Sequence, residues 1–265
     1  MKLKPINPEL NTFPKEFQKY LKSAKLYDSS CSPFAQVTYV EKDDGYFIKR
    51  SKKDSLQREV EMTKYFNSKG LSAEIMEYYQ DDLYDWVITT KIPGFDCTED
   101  IYQNNPKKLV DTLAQQLYLL HQEDYTDCPV PNHTELMLDR AEASYKERQV
   151  DTSFLKIENL YEISSVEEAW SLVDGFGNEL QTNTLLHGDY CLPNVILNDW
   201  EFSGFIDIDT GGVGDRHVDV FWGIWTLQFN LKTAKYTDRF IDAYGRQHID
   251  TDLLRIVAAT EVFGG

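Results

Sequence analysis

The chain has 265 residues, 42% of them hydrophobic and 27% charged, which suits one large domain or two closely packed lobes and excludes a disordered or fibrous protein. Asp and Glu number 44 against 27 Lys and Arg, a net charge of −17 that works against nucleic acid or an anionic membrane as partner and would attract a cationic one. Residues 1–17 lack the apolar stretch of a signal peptide, and no later segment reaches the ~20 apolar residues needed to span a bilayer, so the expected compartment is the cytoplasm. Cys31, Cys97, Cys128 and Cys191 are scattered without a CxxC pair, so any metal chemistry is expected to use oxygen ligands.

Strand signals dominate the first part of the chain. Residues 36–41 and 46–50 flank Asp43-Asp44-Gly45, a hairpin signature, and a helix is expected next, capped by Asp54 with Gln57 as capping-box partner and stopped at Gly70. Residues 74–79 and 86–90 read as two further strands. After Ile92-Pro93-Gly94 the apolar period turns helical, which places a hinge there and divides the chain into an N-terminal lobe, 1–92, and a C-terminal lobe, 93–265. Asn105-Pro106 opens a helix with Leu109, Leu113, Leu117 and Leu120 as its core stripe. A second helix is expected over 134–148, and Ser165 with Glu168 forms a capping box for a third. Residues 185–186, 195–197 and 205–208 are short apolar strands, the last two joined across Asn198-Asp199, and the chain from Val218 onward reads as helical.

The densest polar cluster is His187-Gly188-Asp189-Tyr190-Cys191-Leu192-Pro193-Asn194, followed by Asp207 and Asp209. Phosphoryl transfer needs a carboxylate that orients the acceptor hydroxyl and takes its proton, and hard oxygen ligands that hold Mg²⁺ against the phosphates. Asp189 suits the first role, Asn194 and Asp207 the second, and their order repeats that of a protein-kinase catalytic loop and metal-binding aspartate. Asp209 alternates with Asp207 along an apparent strand and is expected to point the other way. His187 is expected to hold the loop in place and His121 to pack at the end of the leucine stripe.

The HGDxxxxN loop with Gly204-Phe205-Ile206-Asp207 resembles the aminoglycoside phosphotransferase family, closest to its 3'-phosphotransferases, over nearly the whole chain. The resemblance implies an α+β, bilobal protein-kinase-like fold with a small β-rich N-lobe carrying one long helix and a larger, mainly helical C-lobe. It implies nucleotide-binding roles for Ser32 in a positioning loop, Phe47 stacking on the base, Lys49 on the phosphates, Glu59 paired with Lys49, and Thr90 to Ile92 at the hinge. It further implies Mg²⁺ and ATP or GTP as cofactors, a cationic aminoglycoside as partner, and a monomer or weak dimer. Asp189, Glu158, Glu162, Glu261 and Phe263 are its substrate-binding candidates, and Asp219 resembles the aspartate that braces the catalytic loop. The chain departs from close relatives in places: Thr210 and Trp225 stand where those often place arginines of the substrate pocket, and Gly264-Gly265 extend past the Phe whose carboxylate ends those relatives.

The expected activity is therefore transfer of a γ-phosphate to a hydroxyl of an aminoglycoside, conferring resistance by inactivation. A kinase of a macrolide, choline-like or sugar acceptor is one alternative and a nucleotide-binding pseudokinase the other. Lys49, Glu59, Asp189, Asn194 and Asp207 are all present, which weighs against the pseudokinase.

Overall fold

Successive side chains of a half-buried strand face opposite sides, and 46–52 obeys this rule in the computed structural model, which describes residues 3–158 and 160–264: Ile48 is buried while its neighbours are half-exposed. Two compact units are present, Met1–Asp96 with Val195–Asp209, and Cys97–Asn194 with Thr210–Gly265.

In the first unit, β1 (Lys4–Ile6), β2 (Lys25–Asp28), β3 (Ala35–Glu41), β4 (Tyr46–Lys52), β5 (Ile75–Gln80) and β6 (Tyr84–Thr90) form an antiparallel sheet in the order β1-β2-β3-β4-β6-β5. The β3–β4 hairpin turns where Asp43-Asp44-Gly45 indicated, with Asp43 at φ 52° and Gly45 at φ 92°. One face of the sheet packs Leu26, Val40, Ile48, Trp86 and Ile88 against Phe13, Phe17 and Leu21, large apolar side chains whose burial contributes ~1.5–3 kcal/mol each. Val87, on the other face, packs under α1 (Gln57–Ser68) against Leu56 and Val60.

The start of α1 differs from expectation. Asp54 does not cap it; its backbone is left-handed, φ 65°, and its carboxylate accepts from Gln80 Nε2 at 2.9 Å. The Leu56 N–H at the helix start instead donates to the buried Asp85 carboxylate of β6 at 2.9 Å. Gln57 Nε2 bonds Glu61 at 2.9 Å in place of closing a capping box.

Three more strands complete this unit. β7 (Phe95–Asp96) pairs with β8 (Val195–Asn198), which pairs with β9 (Glu201–Phe205). Gly94, at φ 108°, allows the approach, since a Cβ there would lie 2.1 Å from the Leu197 carbonyl oxygen. Phe205 is fully buried edge-on to Phe66, ring centroids 6.2 Å apart, and its N–H donates to Leu71 O at 2.8 Å. This pairing carries the unit past the division expected between 92 and 93, to Asp96, and adds 195–209 to it.

The second unit is mainly helical: α2 (Pro106–Leu120), α3 (His133–Glu147), α4 (Val166–Phe176), α5 (His217–Leu231), α6 (Thr237–Tyr244) and α7 (Thr251–Glu261). Pro106 opens α2 as expected, although Asn105 makes no side-chain cap bond. The stripe of Leu109, Leu113, Leu117 and Leu120 is 0–2% exposed, so it is core. Ser165 caps α4, accepting from Glu168 N at 3.1 Å, while the Glu168 carboxylate reaches back to Ser164 N at 2.8 Å. Ala141, Ala169, Val173, Ala259, Val262 and Phe263 form a core cluster among α3, α4 and α7. No helix of the described residues is long and apolar enough to cross a membrane.

Candidate active site

Register places Lys49. It lies opposite Val87 in the β4–β6 ladder, so both point toward α1, where Glu59 sits in the first turn. Lys49 Nζ donates to both Glu59 oxygens, at 2.9 and 2.8 Å, and to Asp207 Oδ1 at 2.8 Å. Burial works against the Lys49 ammonium, but Asp207 and then Glu59 outweigh it and raise its pKa. One ammonium is shared by two carboxylates. Burial accordingly pushes Glu59 up to about 7, Lys49 pulling it down and Asp207 and Asp209 pushing it further up.

Asp207 follows β9, and its position corrects one expectation. The strand ends at Phe205 rather than 208, and Asp207 takes a left-handed backbone, φ 54°, so it and Asp209 do not alternate along a strand. Its side chain is 52% exposed, on the Lys49 ammonium.

The other nucleotide-binding candidates in this unit are less tightly held. Ser32 is exposed between β2 and β3, its Oγ accepting from Phe34 N at 3.1 Å. Phe47 is half-buried against Tyr39, centroids 5.1 Å apart. Thr90 ends β6, its N–H donating to Glu74 O at 3.1 Å and its Oγ1 accepting from Glu74 N at 3.0 Å, and Ile92 follows two residues on, half-buried beside Gly204.

In the second unit the 187–194 segment is a loop folded on itself. Thr184–Leu186, fully buried and paired with Gly212–Gly214, delivers it. Gly188 adopts φ 84°, and a Cβ there would lie 2.1 Å from Thr210 O, so a larger residue would displace the loop. Asn194 Nδ2 donates to Asp189 O at 3.0 Å and to Asp189 Oδ2 at 2.8 Å, which holds the Asp189 carboxylate and leaves the Asn194 side-chain oxygen as the atom available to a cation. Tyr190 is buried with its hydroxyl on Leu113 O at 2.9 Å, and Leu192 N donates to Thr226 Oγ1 of α5 at 3.1 Å.

Asp219 of α5 anchors the other end. It is 0% exposed and accepts from His187 N and Gly188 N, both at 2.8 Å, and pairs with His121 Nε2 at 3.1 Å; His121 Nδ1 meets the Tyr244 hydroxyl at 2.7 Å. With Nε2–H donating to the carboxylate, Nδ1 accepts from Tyr244. Burial alone would raise the Asp219 pKa, but the hydrogen bond from His121, then that from the His187 backbone, lower it. His187 is fully buried inside the loop, its Nδ1 accepting from Asp189 N at 3.3 Å. The Tyr244 end of this chain of bonds carries no sequence signal, since nothing in local pattern ties α6 to α2.

The substrate candidates separate. Glu261 is buried, 3% exposed, and burial and the Asp189 charge push it up to about 8 against a hydrogen bond from Trp222 and the charge of Arg140. The folded chain thus keeps a proton on Glu261 that the unfolded chain releases near 4.5, so this group costs stability as pH rises from about 4.5 to about 8. Glu261→Gln is expected to flatten the fall in Tm over that range, as thermal denaturation at several pH values would read. Phe263 is 1% exposed and packs edge-on against Tyr145 and Trp170, centroids 5.7 and 5.9 Å, so its ring is core rather than a wall open to substrate. Glu158 and Glu162 are exposed; Glu162 pairs with Lys156 at 3.0 Å, and the Glu158 carbonyl accepts from Gln228 Nε2 of α5 at 2.8 Å. Among the described residues, no group of three or more His, Cys, Asp or Glu could hold a metal ion.

A phosphotransferase enzyme family profile matches residues 35–256. The chain belongs to this family. A probable aminoglycoside 3'-phosphotransferase of Lactococcus lactis is 46% identical over 99% of both chains, and an aminoglycoside 3'-phosphotransferase of Niallia circulans is 28% identical over 79% of both. The crystal structure of an aminoglycoside-3'-phosphotransferase of type VIII has the same fold, TM-score 0.69 at 19% identity, covering 94% of this chain and 100% of that one. An aminoglycoside phosphotransferase from Streptomyces rimosus in complex with ADP and streptomycin gives TM-score 0.68 at 17% identity, over 87% of this chain and 90% of that one. The bilobal α+β phosphotransferase fold expected from the loop motif is therefore the fold of this family member.

Proposed function

We propose that the protein transfers the γ-phosphate of ATP or GTP to a hydroxyl of an aminoglycoside and so inactivates the antibiotic. The observation that carries this reading is the Asp189–Asn194 clamp, braced through Asp219, in a chain 46% identical from end to end to a probable aminoglycoside 3'-phosphotransferase. In this reading Phe47, Thr90 and Ile92 hold the base, and Ser32 and Lys49 hold the phosphates. Asp189 orients the acceptor hydroxyl and takes its proton. With a loose transition state, positioning and electrostatics dominate over strong base catalysis.

The residues present suit Mg²⁺. Asp207 already holds a cation, the Lys49 ammonium, at 2.8 Å, and Asn194 has committed its amide nitrogen to Asp189 and keeps an oxygen. Both are hard donors of the kind Mg²⁺ takes beside phosphate oxygens. When bound, the ion offsets charge on the phosphates. The net charge of −17, with the exposed Glu158 and Glu162 in the second unit, favours a polycationic acceptor over a macrolide with a single amine.

The test is Mg²⁺-dependent release of ADP or GDP by the purified protein, screened with kanamycin, neomycin, a macrolide, choline and no acceptor. Release stimulated by an aminoglycoside, with a phosphorylated product by mass spectrometry, is expected; stimulation only by another acceptor would overturn the substrate. Lys49→Ala is expected to raise the KM for nucleotide by about tenfold or more and leave the acceptor KM near its original value. An unchanged KM and kcat would remove Lys49 from the site.

A further inference from the structure

The starts of α5 and α7 and the turn Arg246–His248 enclose a cavity of about 320 Å³, room for a small organic molecule, and none of its lining residues is a nucleotide, metal or acceptor candidate. Its carboxylates are already satisfied. Asp215 accepts from Gln181 N at 2.7 Å and from His217 N and Nδ1 at 2.9 and 2.5 Å, and Asp250 caps α7, accepting from Asp252 N and Leu253 N at 2.8 and 3.4 Å. Its cation is not. Arg216 is half-buried in a chain of 44 acidic residues, yet among the described residues its guanidinium forms no ion pair and has a neutral partner, the Tyr244 hydroxyl.

Other polar groups of the wall offer donors. Asn183 has given its side-chain oxygen to the Thr184 hydroxyl, at 3.0 Å, which leaves its NH₂ group; the Gln247 amide is exposed, and the His248 ring is half-buried against Tyr118, centroids 5.8 Å apart. An anion among these groups gains a charge-assisted bond from Arg216 and supplies the counter-charge that the arginine lacks. A second cavity, of about 430 Å³, shares Gln247 with the first and has Tyr118, Leu119 and Tyr244 in its wall, so a flat apolar ring fits beside the anion. The same wall reaches the catalytic loop through hydrogen bonds alone. Tyr244 O–H donates to His121 Nδ1 at 2.7 Å, His121 Nε2 to Asp219 at 3.1 Å, and Asp219 receives the His187 and Gly188 N–H groups at 2.8 Å. Arg216 itself lies one turn before Asp219, its carbonyl accepting from Val220 N at 3.2 Å.

We propose that this cavity binds a small molecule with one anionic group, a carboxylate or a phosphate, on a flat ring, and that its occupancy steadies the catalytic loop. Arg216 pairs with the anion, Asn183, Gln247 and His248 surround it, and the ring lies against Tyr118. A ligand that ties down Arg216 and covers Tyr244 holds the start of α5 and the His121 bond in place, so the Asp219 bonds to His187 and Gly188 open less often. The site is independent of which acceptor the enzyme phosphorylates.

The test titrates phenyl phosphate, benzoate, inorganic phosphate and phenol into the whole protein, with Mg²⁺ and ADP present to fill the nucleotide site, and follows binding by ligand-detected NMR. Phenyl phosphate or benzoate is expected to bind about tenfold or more tightly than inorganic phosphate and phenol, and the tighter of the two identifies the anion. Arg216→Gln and Gln247→Glu are each expected to weaken that binding about tenfold or more. Gln247 is exposed, so Gln247→Glu provides the reading if Arg216→Gln does not fold. With the tighter ligand bound, amide hydrogen exchange at His187 and Gly188 is expected to slow about threefold or more. No binding of either ring anion, or binding undiminished in Gln247→Glu and in Arg216→Gln where it folds, overturns the site; binding with unchanged exchange at the two amides overturns its action on the loop.

Discussion

Asp189→Asn is expected to lower kcat for aminoglycoside-dependent nucleotide hydrolysis and transfer by two or more orders of magnitude, a loss of ~3 kcal/mol or more in transition-state stabilisation. The substitution is chosen because an asparagine oxygen still accepts from Asn194 Nδ2, the bond that holds the side chain at 2.8 Å. The loop therefore keeps its shape and loses the negative charge and the proton acceptor. Single-turnover measurement with an unchanged Tm would separate lost chemistry from lost folding. Near-normal turnover would remove Asp189 from the reaction.

Asp219→Ala should be the most destabilising single change in the second unit. The carboxylate is 0% exposed and accepts from two backbone N–H groups and from His121. Its loss leaves three buried donors unpaired, a cost of ~3 kcal/mol or more, to be read as a lower midpoint in urea. Asparagine does not rescue it, because its NH₂ group would face one of those donors. The Asp219 pKa is held below the ordinary 3.8, so its contribution is present above about that pH and is lost as pH falls below it. Acid titration of the Asp219→Ala variant should accordingly show a weaker loss of stability in that range than the parent chain.

How much of this was legible depended on whether the physics was local. Asp43-Asp44-Gly45, Pro106 and Ser165-Glu168 act within one turn, and each was readable as a hairpin or helix start. Asp54 satisfied the local pattern for a cap and failed, because Asp85, 29 positions beyond Leu56, supplies the acceptor that the helix start uses. The pairing of Lys49 with Glu59 was foreseen from the family resemblance, whereas the third member of that contact, Asp207, was expected only as a metal ligand. The apolar run at 205–208 looked like a strand to its end; the ladder stops at Phe205 because Leu71 and Phe66 hold that residue, and the backbone then turns left-handed at Asp207. Phe263 illustrates the reverse. The family resemblance made it a substrate-binding candidate, but Tyr145 and Trp170 bury its ring.

The interrupted composition of the first unit bears on how the protein is made. Its sheet and helix are encoded before residue 97, yet β8 and β9, which cover Phe66 with Phe205, are encoded after nearly the whole catalytic loop. A nascent chain that has emerged only as far as Asp96 therefore presents Phe66 and the Leu71 carbonyl without their partners, and must wait about a hundred residues, roughly 5–20 s of synthesis, before it can close. Through that interval the first unit is a natural client for a chaperone, and a fragment cut at the apparent hinge would inherit the same open surface permanently.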